Sequence, residues 1–130
     1  MFSLITGPRM TIKILLVDDA ESVRWDLRTI LILSGDLEIV GEATNGLEAI
    51  RLTESLQPDV VLMDLEMPLM DGYESTCLIK ALCPSSRVVA LTVHSYDEAR
   101  KKAQRSGVDA FIVKGAPVEN IVQSILQIKE

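Results

Sequence analysis

The sequence predicts one α/β domain, a doubly wound parallel sheet of five strands with helices packed on both faces. Two observations predict it. Short apolar runs alternate with longer stretches whose apolar residues recur at helical spacing, the pattern of successive βαβ units. The apolar runs are rich in Val, Ile and Leu with little polar alternation, as strands covered on both faces require. A chain of 130 residues fits one core and leaves no room for two ordinary ones.

Taken in order, Ile12 to Val17 is the first apolar run, interrupted by one lysine. Asp18 to Ser22 then supplies acids and a capping serine, and Val23, Leu27, Ile30 and Leu31 fall on one helical face. Ser34-Gly35-Asp36 stops that helix, and Glu38 to Glu42 reads as a short second strand. Thr44-Asn45-Gly46 turns the chain into a helix from about Leu47 to Leu56, which Gln57-Pro58 ends. Asp59 to Met63 is the third strand; after a loop from Asp64 to Gly72, a helix is predicted from Tyr73 to Leu82, ended by Pro84. Arg87 to Leu91 is the fourth strand. The fourth helix, Tyr96 to Ser106, offers mostly Ala99 and Ala103 as its apolar side, and Gly107 closes it. Asp109 to Val113 is the fifth strand, and the last helix opens near Pro117 and buries Val118, Ile121, Val122 and Ile125. No repeat, linker or low-complexity segment interrupts this plan. Residues 1–10 read as an N-terminal extension, and residues 11–130 as the domain.

Charge and composition narrow the function. Acidic residues outnumber basic ones 19 to 13, for a net charge of −6, and the pI is about 4.8. Phosphate backbones are held mainly by Lys and Arg, so this domain is a poor nucleic-acid or membrane-surface binder by itself. No apolar run reaches the roughly 18 residues of a membrane span. Met1 to Arg9 lacks a basic start followed by an apolar core, so no signal peptide is read. Two cysteines and one histidine, His94, do not make a Cys-rich zinc site. A reducing cytoplasm is the expected compartment.

In a parallel sheet the ligand site lies beyond the carboxyl ends of the strands. Asp18 and Asp19 follow the first strand, Asp64 the third, Thr92 the fourth and Lys114 the fifth. One sheet edge therefore gathers three carboxylates, a hydroxyl and an ammonium. At about 5 Å and an effective dielectric near 20, each pair of carboxylates repels by roughly 3 kcal/mol, so a cation must compensate. Hard oxygen donors favour Mg²⁺, which accepts one or two carboxylates, water and phosphate oxygens. Metal, lysine and threonine together suit a transferring phosphoryl group, and one desolvated carboxylate can be its nucleophile, forming an acyl phosphate.

With Leu15-Leu16-Val17-Asp18-Asp19, Pro58 to Asp64, Met67 to Gly72, Leu91-Thr92 and Ile112-Val113-Lys114 in this order, the chain resembles the receiver domain of two-component response regulators from about residue 11 to 129. The resemblance implies a flavodoxin-like fold with strand order 2-1-3-4-5. It implies that Asp64 is the phosphoacceptor for a sensor histidine kinase, that Asp19 ligates Mg²⁺ directly, that Asp18 acts through water, and that the Glu66 backbone carbonyl is a further ligand whatever its side chain. Thr92 would carry its hydroxyl onto the phosphoryl oxygen, Lys114 would pair with Asp64 and then with the phosphoryl, and Phe111 matches the aromatic switch position that turns inward with Thr92. Gly115-Ala116-Pro117 after the lysine resembles receivers joined to helix-turn-helix output domains. A missing C-terminal DNA-binding domain is thus one expectation, with no direct DNA binding by this chain. Phosphorylation-driven homodimerisation, through the fourth and fifth helices or the first and fifth, is another. Val93, after the threonine, is bulkier than many family members carry.

Other residues have plainer readings beside functional ones. Trp25 should face away from the core stripe, as a surface aromatic or a partner anchor. Cys77 and Cys83 are expected to be buried small hydrophobes. His94 lies near the site mouth, and Arg100-Lys101-Lys102 with Arg105 is a solvated helix face or a docking surface. Three competing functions stand beside the switch. A receiver-like module that no longer takes phosphate is opposed by the complete set of five residues. An aspartyl-nucleophile phosphatase would use Asp64-Leu65-Glu66, but after the wrong strand. A flavin-binding flavodoxin lacks its Ser/Thr-Gly phosphate loop.

Overall fold

The computed structural model describes residues 11–129, so the 1–10 extension lies outside the described residues. Ten elements alternate in the predicted order: β1 (Ile12–Val17), α1 (Glu21–Ile32), β2 (Leu37–Ala43), α2 (Gly46–Leu56), β3 (Val60–Asp64), α3 (Gly72–Leu82), β4 (Arg87–Thr92), α4 (Asp97–Ser106), β5 (Ala110–Val113) and α5 (Val118–Lys129). All four strand pairings are parallel, in the order β2-β1-β3-β4-β5. The chain therefore reverses its winding at β1, and the crevice there opens beyond the carboxyl ends of β1 and β3.

Side chains along the strands divide between two cores, because successive residues of a strand point to opposite faces. Ile14, Leu16, Val60, Leu62, Val89 and Leu91 pack with Leu31 of α1 and Ile121 and Ile125 of α5. Leu15, Val17, Val61, Met63, Val88 and Ala90 pack with Ala49 of α2, Ile79 of α3 and Ala103 of α4. Two buried faces explain why these strands are apolar throughout instead of alternating.

Helix ends differ in small ways from the sequence reading. Asn45 and Asp71 cap α2 and α3 by accepting from the backbone N–H of Glu48 and Glu74. Ser22 is not a cap; α1 starts earlier, after Ala20, without a side-chain cap bond. An alternative bond fills that corner: the Ala20 N–H donates to the Asp18 carboxylate at 2.9 Å, which fastens the chain to the strand end. Gly107 ends α4 at φ +99°, a left-handed conformation that glycine takes without steric cost.

Candidate functional site at the carboxyl edge of the sheet

β1 and β3 run side by side, so their carboxyl ends deliver Asp18, Asp19 and Asp64 to one place. One carboxylate oxygen from each lies within 4.8 Å of the others. Asp18 and Asp64 are buried at 2% and 4% exposure, while Asp19 is open to solvent. Lys114 enters from the end of β5. Its Nζ is 3.0 Å from Asp18 Oδ2 and 3.4 Å from Asp64 Oδ1. The expected Lys114–Asp64 pairing is present, with Asp18 the nearer partner. Asp64 Oδ1 also accepts from the Glu66 backbone N–H at 3.1 Å.

The electrostatics follow from this crowding. Burial, reinforced by the neighbouring Asp18 charge, pushes the Asp64 carboxyl up to about 6, although Lys114 and the Glu66 N–H oppose it. Burial disfavours the Lys114 ammonium, but the two carboxylates outweigh it and hold its pKa above the ordinary lysine value. One ammonium faces three carboxylates, so the cluster carries surplus negative charge. A hard divalent cation fits this donor set: all donors are oxygens, and an exposed one, Asp19, faces the solvent from which a hydrated ion arrives.

Thr92 ends β4 fully buried. Its hydroxyl donates to Glu66 Oε1 at 3.0 Å and accepts from the His94 N–H at 3.1 Å. Phe111 on β5 is half-buried, with the Arg100 guanidinium 4.6 Å from its ring centroid. The structure thus brings Asp18, Asp19, Asp64 and Lys114 into one cluster and connects Thr92 to it through Glu66.

Sequence reasoning missed several supporting groups. Arg24 donates to the Asp18 carbonyl at 2.7 Å and to Glu42 Oε1 at 2.9 Å, and Arg28 pairs with the other Glu42 oxygen. These guanidinium bonds overcome burial and hold the Glu42 carboxyl below its usual range. Gly72 leaves no space for a side chain: a Cβ there would run into the Asp64 carbonyl oxygen and lie 2.7 Å from Leu65 Cα. Its position at the end of the Met67 to Gly72 loop was the available signal. The Glu66 side chain, set aside as irrelevant to a backbone bond, is a hydrogen-bond partner of Thr92. Cys77 is exposed, contrary to the expected burial, while Cys83 is buried as expected. One α3 face cannot hold both Cys77 and the buried Ser75, Thr76 and Ile79, so Cys77 falls on the solvent side.

Comparison with known proteins agrees with this geometry. The family model for the response regulator receiver domain matches residues 14–126. Response regulator protein VraR of Staphylococcus aureus is 41% identical over 116 residues, which cover 89% of this chain and 56% of that protein. The chain therefore spans about half the length of the curated relatives it matches. The response regulator domain of Thermotoga maritima CheB superposes with a TM-score of 0.85 at 30% identity, covering 92% of this chain and 97% of that one. A DNA-binding response regulator of the LuxR family from Staphylococcus aureus gives 0.86 at 29% identity, covering 92% and 99%. With its fold, its edge cluster and the matched span in agreement, the chain belongs to the response regulator receiver domain family and so to two-component signalling.

Proposed function

We propose that Asp64 is the phosphoacceptor and that the domain is a Mg²⁺-dependent switch driven by a sensor histidine kinase. The observation that carries this reading is the buried Asp64 carboxylate held among Asp18, Asp19 and Lys114. A carboxylate oxygen of Asp64 attacks the phosphorus of a phosphohistidine. The O–P bond forms as the P–N bond breaks, and that bond's electron pair leaves on the imidazole nitrogen. Mg²⁺, when bound, neutralises charge on the phosphoryl oxygens. Asp19 and Asp64 would hold it, with the Glu66 backbone carbonyl, and Asp18 through water.

Lys114 needs little movement to accompany the reaction, since it already faces Asp64 at 3.4 Å. It would exchange a carboxylate partner for a phosphoryl oxygen. Thr92 would turn its single O–H from Glu66 to the phosphoryl, and Phe111 would follow it inward. The product is a changed surface, so the domain acts as a switch and its self-phosphorylation and autodephosphorylation belong to signalling, not to metabolism.

The output is read by another surface. Relatives that extend well beyond the matched span, which covers 56% of their length, and a LuxR-family relative described as DNA-binding support transcription control by a longer protein, with DNA contacted by a segment other than this domain. The receiver would contribute homodimerisation, through α4 and α5 or α1 and α5. Two free thiols support a reducing, cytoplasmic compartment, and among the described residues no helix is long and apolar enough to cross a membrane.

Incubation with acetyl phosphate and Mg²⁺ tests the central assignment. Intact mass should rise by about 80 Da, one HPO₃, in the wild type. The adduct should be labile to base and absent from Asp64→Asn; undiminished labelling of that variant would overturn the assignment.

A further inference from the structure

Building on the phosphoacceptor reading above, we propose that the Glu66 side chain is a positioning residue with two partners. In the resting protein it holds the Thr92 hydroxyl, and on phosphorylation it transfers to Lys102 and Arg105 of α4, so that the helix responds to the state of Asp64.

The first half rests on hydrogen-bond capacity. A threonine hydroxyl has one proton to donate. The His94 N–H occupies an acceptor position on Thr92 Oγ1 at 3.1 Å, and the proton is directed to Glu66 Oε1 at 3.0 Å. Thr92 cannot donate to a phosphoryl oxygen while it donates to Glu66. Phosphorylation therefore removes the donor from Glu66 and takes the charge at Asp64 from one negative unit to about two, a net gain of about one. Glu66 has lost a hydrogen bond and gained a like charge, and both changes drive it outward.

The second half rests on where it can go. The Glu66 side chain is 43% exposed, so it is free to turn, and its other neighbour is His94 Nε2 at 3.9 Å. Glu66, Tyr73, His94, Glu98, Lys102 and Arg105 are among the residues that line one recess of about 240 Å³ between the site and α4. Lys102 rests over the Tyr73 ring, 4.3 Å from its centroid. Among the described residues, the ion pairs formed do not include Lys102 or Arg105. A displaced carboxylate thus meets two α4 cations in the same recess, which outnumber its one other carboxylate, Glu98. α4 is also the helix with the least to resist it, since only Ala99 and Ala103 are buried.

The test uses amide spectra of the whole chain with Mg²⁺ and beryllium fluoride, a stable mimic of the phosphoryl group, and intact mass after acetyl phosphate. The variants are Glu66→Gln, the double substitution Lys102→Gln with Arg105→Gln, and all three together. Glu66→Gln keeps an acceptor for Thr92 and removes the charge, so a hydrogen-bonding role alone would leave it like the wild type. The double variant should take the adduct as the wild type does. Its response in residues 97–106 should shrink about two- to fivefold, the range of an exposed ion pair. Glu66→Gln should lose the same response, and the triple variant no more, since the groups act as one pair. High salt should weaken the wild-type response and leave that of Glu66→Gln unchanged, which needs no stable variant beyond one. An undiminished response in the double variant, additive losses in the triple, or a salt-insensitive wild type would overturn the relay. A wild type that takes no adduct would overturn the phosphoacceptor reading itself, and the relay with it.

Discussion

Asp64 combines burial with a neighbouring like charge, and its chemistry has a cost in stability. The folded protein holds its carboxyl at about 6, above the ordinary 3.8. Between those values the folded chain binds more protons than the unfolded one, so stability falls as pH rises through that window. In metal-free buffer, Asp64→Asn should therefore stabilise the domain by on the order of 2–3 kcal/mol at pH 7 and by little near pH 4. Urea titrations at the two pH values would check it, and an equal effect at both would contradict the cause. The same crowding makes the group useful, because a carboxylate poorly satisfied by its surroundings gains most from a cation or a phosphoryl acceptor geometry. Thr92 and Lys114 show the complementary principle: each is buried or half-buried, and each already has a partner that the proposed phosphoryl transfer would replace.

Among the elements, α4 stands apart. It buries two alanines, whereas α5 carries Ile121 and Ile125 into the core. At about 25 cal/mol per Å² of apolar surface, alanine contacts hold a helix weakly. Amide exchange should accordingly be faster in residues 97–106 than in α1, which is anchored by Leu31 and half-buried Leu27. The reverse order would remove the case for α4 as the moving part. α3 begins where the site loop ends, and its start depends on Asp71 accepting from the Glu74 N–H at 2.9 Å. Asp71→Ala should lose about 1 kcal/mol, the typical value of an N-cap, read as a lower urea midpoint at unchanged slope.

For the molecule as a whole, the acidic edge is where a ligand can change stability. A metal that binds only the folded state stabilises by mass action. At tenfold above its dissociation constant, Mg²⁺ should add about 1.4 kcal/mol, or roughly 5 °C in Tm for a domain of this size. Asp19→Ala should abolish most of that rise. Thermal unfolding with Mg²⁺ and with a chelator measures it, and a metal-independent Tm would argue against the carboxylate cluster as a cation site. The two-core plan supports this edge: β1 and β3 are adjacent interior strands covered on both faces, so Asp18 and Asp64 sit at the ends of fully packed strands.

Much of this was legible in the amino-acid order. Apolar runs of Val, Ile and Leu separated by helical periods can bury their surface only as a parallel sheet covered on two sides. A parallel sheet brings all its carboxyl ends to one edge, so Asp18, Asp19, Asp64, Thr92 and Lys114 could be assembled without coordinates. Trp25 was also readable from helical phase, and it is 65% exposed. Contacts that depend on the rotation of a helix or the reach of a side chain were not. Cys77 faces solvent because packing turned α3 to bury Ser75, Thr76 and Ile79. Arg24 grips the Asp18 carbonyl and Glu42 across two elements, and Glu66 takes the Thr92 hydroxyl across 26 residues of sequence. Periodicity determines which face is apolar and which strand end carries a charge. Only the packed structure decides which of several nearby oxygens a hydroxyl or an ammonium meets, because that choice turns on ångström differences between rotamers that no sequence spacing encodes.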